Sequence, residues 1–213
     1  MDRQYFSNRA EAGVELAEAL RNKLGPGAVA IGIPRGGVVV ALEVARRLGA
    51  LLDTLAVKKI GAPFNEELAV AAVTEEGDVA IEEEVASFYG LSRESIMAEA
   101  ARHVEQLRRR GMLYRSGREP IDVSGKVVAV VDDGLATGTT MAAALMTLRR
   151  HRPARLIAAA PVASATAVSK IGQLADEVVC PYVEEEFYAV GEFYRDFSQV
   201  SDEVVVRALA GRL

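Results

Sequence analysis

Apolar runs without polar alternation recur along this chain, separated by stretches whose apolar residues return every three to four positions. This is the pattern of buried parallel strands alternating with helices. Residues 8–24 carry Val14, Leu16, Ala17, Leu20 and Leu24 at helical spacing, and Gly25, Pro26 and Gly27 end that helix. A first strand is expected over 28–34, AVAIGIP, followed through Arg35, Gly36 and Gly37 by a helix that Gly49 closes. Residues 51–59, LLDTLAVKK, predict the next strand with Lys58 and Lys59 at its end, and Gly61, Pro63 and Asn65 then mark a mobile loop. Residues 69–81 read as a β-hairpin turning at Glu76 to Asp78.

From 82 to 126 the rhythm breaks, and an inserted helical arm is expected. Ile96, Ala100, Val104 and Leu107 draw one helical stripe, Ser92 is placed to cap it, Glu105 and Arg109 pair along its surface, and Arg108 to Arg110 read as its basic C-terminal end. The alternation resumes with a strand at 127–131, a helix from Met141, a strand within 154–164, a helix through Leu174 and a short strand in 177–183. The prediction is a single α/β, Rossmann-like domain with a central parallel sheet of about five strands and helices on both faces.

The stretch VVAVVDDGLATGTTM, 127–141, carries the candidate chemistry. Asp132 and Asp133 follow the buried strand directly, and adjacent strand residues point to opposite sides, so two carboxylates can meet a polyol from different directions. In the loop after them, Gly134 and Gly138 allow tight turning and the hydroxyls of Thr137, Thr139 and Thr140 are expected to face inward. The free N–H groups of residues 136–140 and the start of the next helix together suit a phosphate monoester. Arg35, between Pro34 and the glycine pair Gly36 and Gly37, makes a second strand-loop-helix turn with an anion-facing character. Neither G-x-G-x-x-G opening a helix nor G-x-x-x-x-G-K-[ST] occurs, which argues against a dinucleotide enzyme or an NTPase.

Composition narrows the partners. The chain has 213 residues, 50% hydrophobic and 26% charged, enough for one full core with an appendage. A net charge of -5 leaves no basic stripe for nucleic acid, and no apolar run reaches membrane-spanning length, so a cytoplasmic protein is expected. The one cysteine, Cys180, reads as a buried reduced thiol, and His103 and His151 lack metal-ligand spacing. Six of the twelve Phe and Tyr residues, Tyr182, Phe187, Tyr188, Phe193, Tyr194 and Phe197, crowd into the tail, where they form either a small satellite core or a stacking surface.

The thirteen positions from Val128 to Thr140 resemble the signature of the type I phosphoribosyltransferases, which bind phosphoribosyl pyrophosphate (PRPP). The chain is also similar to a bacterial group of such proteins that pairs IPRGG with KIGAP and VDDGLATG. The resemblance implies a core over about 28–180, a hood from 1–27 and 181–200 that packs the nucleobase against the core, and a flexible loop near 57–65 that closes over the reaction. It implies a cis Pro34-Arg35 peptide, and a pyrophosphate held by Arg35, Gly36, Gly37 and one of Lys58 and Lys59, with Lys59 assigned to catalysis. Asp132 and Asp133 would bind the ribose hydroxyls and stabilise developing positive charge, and residues Gly134, Ala136, Thr137, Gly138, Thr139 and Thr140 would hold the 5-phosphate.

Mg²⁺ would be carried mainly by PRPP and water, the product would be a phosphoribosylated nucleobase-like or amine acceptor, and a homodimer is possible by the same resemblance. Hypoxanthine and guanine enzymes of the family place an aspartate two residues after the equivalent of Gly134. Here that position is Ala136, so 6-oxopurines are not expected as acceptors and adenine is the first candidate. The alternatives are a PRPP-sensing regulatory protein and a non-catalytic phosphosugar-binding protein.

Overall fold

The computed structural model describes residues 5–213, the side chains of residues 66 and 67 excepted. In chain order the elements are α1 (Arg9–Leu20), β1 (Val29–Gly32), α2 (Gly36–Leu48), β2 (Leu51–Thr54), β3 (Val57–Ala62), β4 (Asn65–Thr74) and β5 (Val79–Ile81). The arm and the second half follow as α3 (Glu83–Phe88), α4 (Arg93–Tyr114), β6 (Val127–Val131), α5 (Thr139–Arg150), β7 (Arg155–Ala159), β8 (Val162–Ser164), α6 (Ala165–Ile171), β9 (Glu177–Val179), β10 (Tyr182–Glu184) and α7 (Asp202–Leu209).

The central sheet is five-stranded and parallel, ordered β2-β1-β6-β7-β9. Its strands lack polar alternation because both faces are covered. Ala30, Ala129, Val131 and Ile157 point to one side, where they meet Leu16 and Leu20 of α1 and Val40 and Val44 of α2. Val29, Ile31, Val128, Val130 and Leu156 point to the other, against Met141, Leu145 and Leu148 of α5. The period of two along a strand thus sorts each apolar run onto two helical layers.

Five expectations are corrected. Residues 51–59 are not one strand. The chain leaves the parallel sheet after Thr54, whose Oγ1 donates to Gly32 O at 2.7 Å, and β3 joins a separate antiparallel sheet, β3-β4-β5. The hairpin turn at Glu76 to Asp78 is present between β4 and β5, but the expected loop after Lys59 is the far end of the β3–β4 hairpin, where Phe64 stands fully exposed. Arg108 to Arg110 do not end the arm's helix, because α4 runs on for another turn to Tyr114. The EVVCPYV segment divides into β9, in the central sheet, and β10, which pairs with β8, and the helix before it, expected through Leu174, ends at Ile171.

The expected hood also changes. Residues 1–4 lie outside the described residues, and α1 belongs to the sheet's helical cover rather than to a hood. What remains is an aromatic cluster of Tyr5, Phe6, Tyr182, Phe187, Phe193, Tyr194 and Phe197, in which Tyr5 stacks on Tyr182 at 4.4 Å. The last helix, α7, packs Val205, Ala208 and Leu209 onto Val38 and Leu42 of α2 and Tyr114 of α4. No helix among the described residues is long and apolar enough to cross a membrane.

A buried ion pair fastens the arm and second sheet to the first. Arg115, at the end of α4, gives two parallel bonds to Glu75 (3.0 and 3.1 Å) and a third to Thr54 O at 3.0 Å. Both side chains are 6% exposed, and burial, against the pull of Arg115, holds the Glu75 carboxyl above its ordinary pKa. Removing the arginine leaves an uncompensated carboxylate indoors. Arg115→Ala should therefore lower unfolding free energy by about 3–5 kcal/mol near neutral pH. Without its partner Glu75 takes up a proton more readily in the folded state, so the deficit should shrink as pH falls. Urea titration of both proteins at neutral and acid pH measures this, and an equal deficit at the two values would contradict the assignment.

Candidate functional site

Because β1 and β6 are neighbours, their carboxyl ends bring the β1–α2 and β6–α5 connections side by side, and a cavity of about 470 Å³ opens between them. Arg35 and Gly36 line it from the first connection, Lys59 from β3, and Asp132 and Asp133 from the end of β6. Gly134, Ala136, Thr137, Gly138 and Thr140 line it from the following loop.

Three candidates stand elsewhere. Lys58 does not line this cavity, being one residue from Lys59 on a strand whose side chains alternate, and its ammonium lies 3.4 Å from His103 Nδ1 beside a different groove. Gly37 is a packing position, where a Cβ would come within 2.6 Å of Val131 O and 2.8 Å of Asp132 Cα. Thr139 is buried, and its hydroxyl is turned to Glu82 and to Thr137 Oγ1, away from the cavity.

The Pro34-Arg35 peptide is cis. At Gly36 a Cβ would fall 1.9 Å from Asp133 Oδ2 and 2.6 Å from Arg9 Nε, so the absence of a side chain lets this turn lie directly against an ion pair. Gly138 caps α5 in the left-handed region, φ 73°, with no side-chain cap. Among the described residues the N–H groups of Ala136, Thr137 and Gly138 donate to no protein group, and the first turn of α5 adds its own unpaired donors. The result is a row of amide donors at the positive end of a helix dipole. The loop is pinned from behind: Leu135 N–H donates to Val162 O at 3.0 Å, and the Ser164 hydroxyl donates to Ala136 O at 2.6 Å.

The acid pair is electrostatically unequal. Burial first, and then the neighbouring charge of Asp133, push the Asp132 carboxyl well above the ordinary carboxylate range, while Lys59 pulls the other way. Asp133 has a direct counter-ion in Arg9, whose Nε donates to its Oδ2 at 2.7 Å. Arg9 is held in turn by Ser198 O at 2.8 Å and by the ring of Phe197, 3.8 Å from its guanidinium carbon. The Tyr194 hydroxyl donates to Asp133 O at 2.6 Å. None of these residues was singled out from the sequence as a neighbour of the acid pair. Arg9 opens a helix far from the signature in the chain, and only the packing of α1 against α2 brings it there.

The stacking surface expected from the tail is also revised. Its rings stack on one another, with Phe6, Phe193 and Tyr194 buried, and Phe197 lies between Arg9 and Tyr194, 5.1 Å from the latter ring. The cavity wall on that side is formed by Arg9, Val190, Phe197, Gln199 and Val200. The satellite-core expectation fits these contacts for all the tail aromatics except Tyr188, which stays exposed outside the cluster.

A carboxyl whose pKa is raised by folding favours the protonated form, so the folded protein loses stability as pH rises from the ordinary carboxylate range through the raised value. Asp132→Asn removes that loss and can still accept the Asp133 N–H, which bonds Asp132 Oδ1 at 2.9 Å. The variant should melt higher than the unmodified, ligand-free protein at neutral pH, by an amount that grows with pH between 4 and 8. Thermal melts across that range test it, and a lower melting point at neutral pH would show Asp132 to be a stabilising charge instead.

The profile of the phosphoribosyl transferase domain matches residues 7–197. A Mycobacterium tuberculosis protein named "Putative phosphoribosyl transferase" is 40% identical over 204 residues, covering 96% of this chain and 46% of its own length, so the chain spans about half of that relative. The crystal structure of TT1426 from Thermus thermophilus is 43% identical, with a TM-score of 0.80 and coverage of 98% of this chain and 99% of that one. The purine phosphoribosyltransferase of Pyrococcus horikoshii, at 18% identity, a TM-score of 0.51 and coverage of 93% and 99%, shares the fold. With the sheet order, the acid pair and the amide-lined loop all in place, the chain belongs to the phosphoribosyl transferase domain family.

Proposed function

We propose that this protein binds PRPP with Mg²⁺ and transfers the phosphoribosyl group to a small nitrogen acceptor, releasing pyrophosphate. The observation that carries the reading is that one cavity is lined by three unlike sets of groups: Arg35 and Lys59, the carboxyls of Asp132 and Asp133, and the loop residues Ala136, Thr137, Gly138 and Thr140. These match, in turn, a diphosphate, a ribose diol and a phosphate monoester. The loop amides and the α5 dipole take the 5-phosphate, as they would any tetrahedral dianion. The acid pair accepts from the ribose hydroxyls, and the Arg9 guanidinium holds the Asp133 carboxyl in place for that role.

As the bond from C1 to pyrophosphate breaks, the electron pair leaves with the diphosphate and positive charge grows on the ribosyl ring. That charge favours the ionised form of Asp132, the form its surroundings disfavour in the empty protein. Arg35 and Lys59 meet the negative charge growing on the leaving group. Bound Mg²⁺ would supply further neutralisation of the diphosphate. Asp132 and Asp133, the carboxylates lining the cavity, are the residues that would hold the ion or its water alongside the ligand's oxygens.

The acceptor nitrogen then forms the new bond to C1 and gives up its proton to the released pyrophosphate or to water. Ala136 offers no base, and the wall of Arg9, Val190 and Gln199 offers a cation, an aliphatic surface and an amide rather than an open ring for stacking. An acceptor whose nitrogen is already nucleophilic suits this wall, an amine or an adenine-type base before a 6-oxopurine.

Pyrophosphate release should accompany incubation of PRPP and Mg²⁺ with adenine or an amine, and not with hypoxanthine or guanine. Efficient turnover of either 6-oxopurine would overturn the acceptor reading, and PRPP binding without release across a broad acceptor panel would overturn transfer itself. Asp132→Asn combined with Asp133→Asn should abolish PRPP binding in calorimetry while the far-ultraviolet circular dichroism stays unchanged. Undiminished affinity would remove the acid pair from the site. Arg35→Ala should lower kcat roughly 100-fold with a smaller change in PRPP affinity, because leaving-group charge is greatest in the transition state. Equal losses in both would make Arg35 a binding residue only.

A further inference from the structure

The basic run Arg108 to Arg110 has no part in the chemistry above, and the structure gives its members three different partners. Arg108 donates to Glu75 O at 3.1 Å and Arg109 to Glu105 at 3.0 Å, both contacts that hold the arm together. Arg110 instead lines a second cavity, of about 290 Å³, together with Arg35, Tyr114 and the backbone turn at Pro34. That cavity shares Pro34, Arg35 and Val57 with the main one, so Arg35 faces both.

One carboxylate serves all three polar groups. Asp202, at the start of α7, lies 3.2 Å from Arg110 Nη2 and 3.7 Å from Arg35 Nη1, and accepts the Tyr114 hydroxyl at 2.8 Å. Two guanidinium groups against one carboxylate leave a net positive charge beside the proposed leaving-group end of the main cavity. Docking of α7 does not explain the cluster, since Val205, Ala208 and Leu209 already bury its apolar face, and partly exposed ion pairs add little. Burial, then the bond to Asp202, push the Tyr114 phenol far above its ordinary pKa, so it stays a donor at any working pH.

We propose that the cavity between Arg35, Arg110 and Tyr114 is a second anion site, built for a diphosphate, in which Asp202 is the internal competitor for the same donors. The inserted arm and the C-terminal helix would then be working parts of the site, with Arg110 receiving the pyrophosphate that leaves C1. The identity of the anion rests on the reading in the preceding subsection, but binding to the site does not require turnover.

The test is calorimetric titration of the full chain with inorganic pyrophosphate, inorganic phosphate and PRPP, with thermal melts as a check on folding. Pyrophosphate should bind at least tenfold more tightly than phosphate, and Arg110→Gln should weaken pyrophosphate at least tenfold. Asp202→Asn, which keeps an acceptor for Tyr114 and removes the competing charge, should strengthen it several-fold, a direction that loss of a structural contact would not produce. Unchanged pyrophosphate affinity in Arg110→Gln, or weakened or unchanged affinity in Asp202→Asn, would overturn the site. Phosphate binding as tight as pyrophosphate would overturn the diphosphate assignment. If these bindings behave as expected and no acceptor supports turnover, the transfer reading fails while this one stands.

Discussion

Two adjacent carboxyls at the end of a buried strand are an unfavourable arrangement, and much of the site is organised around tolerating it. Asp132 and Asp133 cannot both be comfortable as bare anions at this depth, and their surroundings divide the difficulty. Asp133 is given a guanidinium, which is itself held by a carbonyl and an aromatic ring. Asp132 has no such partner, and burial and the neighbouring charge of Asp133 push its carboxyl above the ordinary carboxylate range. The glycine at position 36 belongs to the same arrangement, because any side chain there would collide with the ion pair.

The anion-facing parts follow a different logic. The loop at 136–138 offers backbone donors and a helix terminus, which need no counter-ion, and its neighbours fix its shape from behind through Ser164 and Val162. The opposite end uses side-chain cations, which do need one. Asp202 supplies it to Arg35 and Arg110 at once, and in doing so links the first connection, the arm and the last helix. Flexible cations balanced by a replaceable carboxylate suit a group that must be bound and then released, whereas the fixed amide cradle suits a group that stays with the product.

The insertion from β3 to α4 shows why an arm of this kind can be added to a parallel core. One face has its own apolar interior, with Val70 and Val73 of β4 against Ile96, Ala100 and Leu107 of α4, while Ala72 and Ala80 on the other face join the core cluster of Met141, Leu145 and Leu148 of α5. What it needs is a fixed angle to that sheet. The buried Arg115–Glu75 pair, anchored to Thr54 O at the end of β2, provides a directional joint of a kind that apolar packing alone does not.

The sequence by itself determined the parallel core, because strands covered on both faces must be apolar, as β1 and β6 are throughout and β7 is after Arg155. It also determined the acid pair and the glycine-threonine loop, since their chemistry is local: a strand end, two acids and a helix start within a few residues. Helix caps such as Ser92 were legible for the same reason. The break after Thr54, the turning of Lys58 to His103 and of Thr139 to Glu82, and the use of α1 as sheet cover were decided only by the tertiary structure. So were Arg9 beside Asp133 and Arg110 beside Arg35. A lone arginine on a helix carries no mark of its partner, and these pairs exist because separate helices pack to bring distant charges within a few ångströms, a distance that no spacing along the chain encodes.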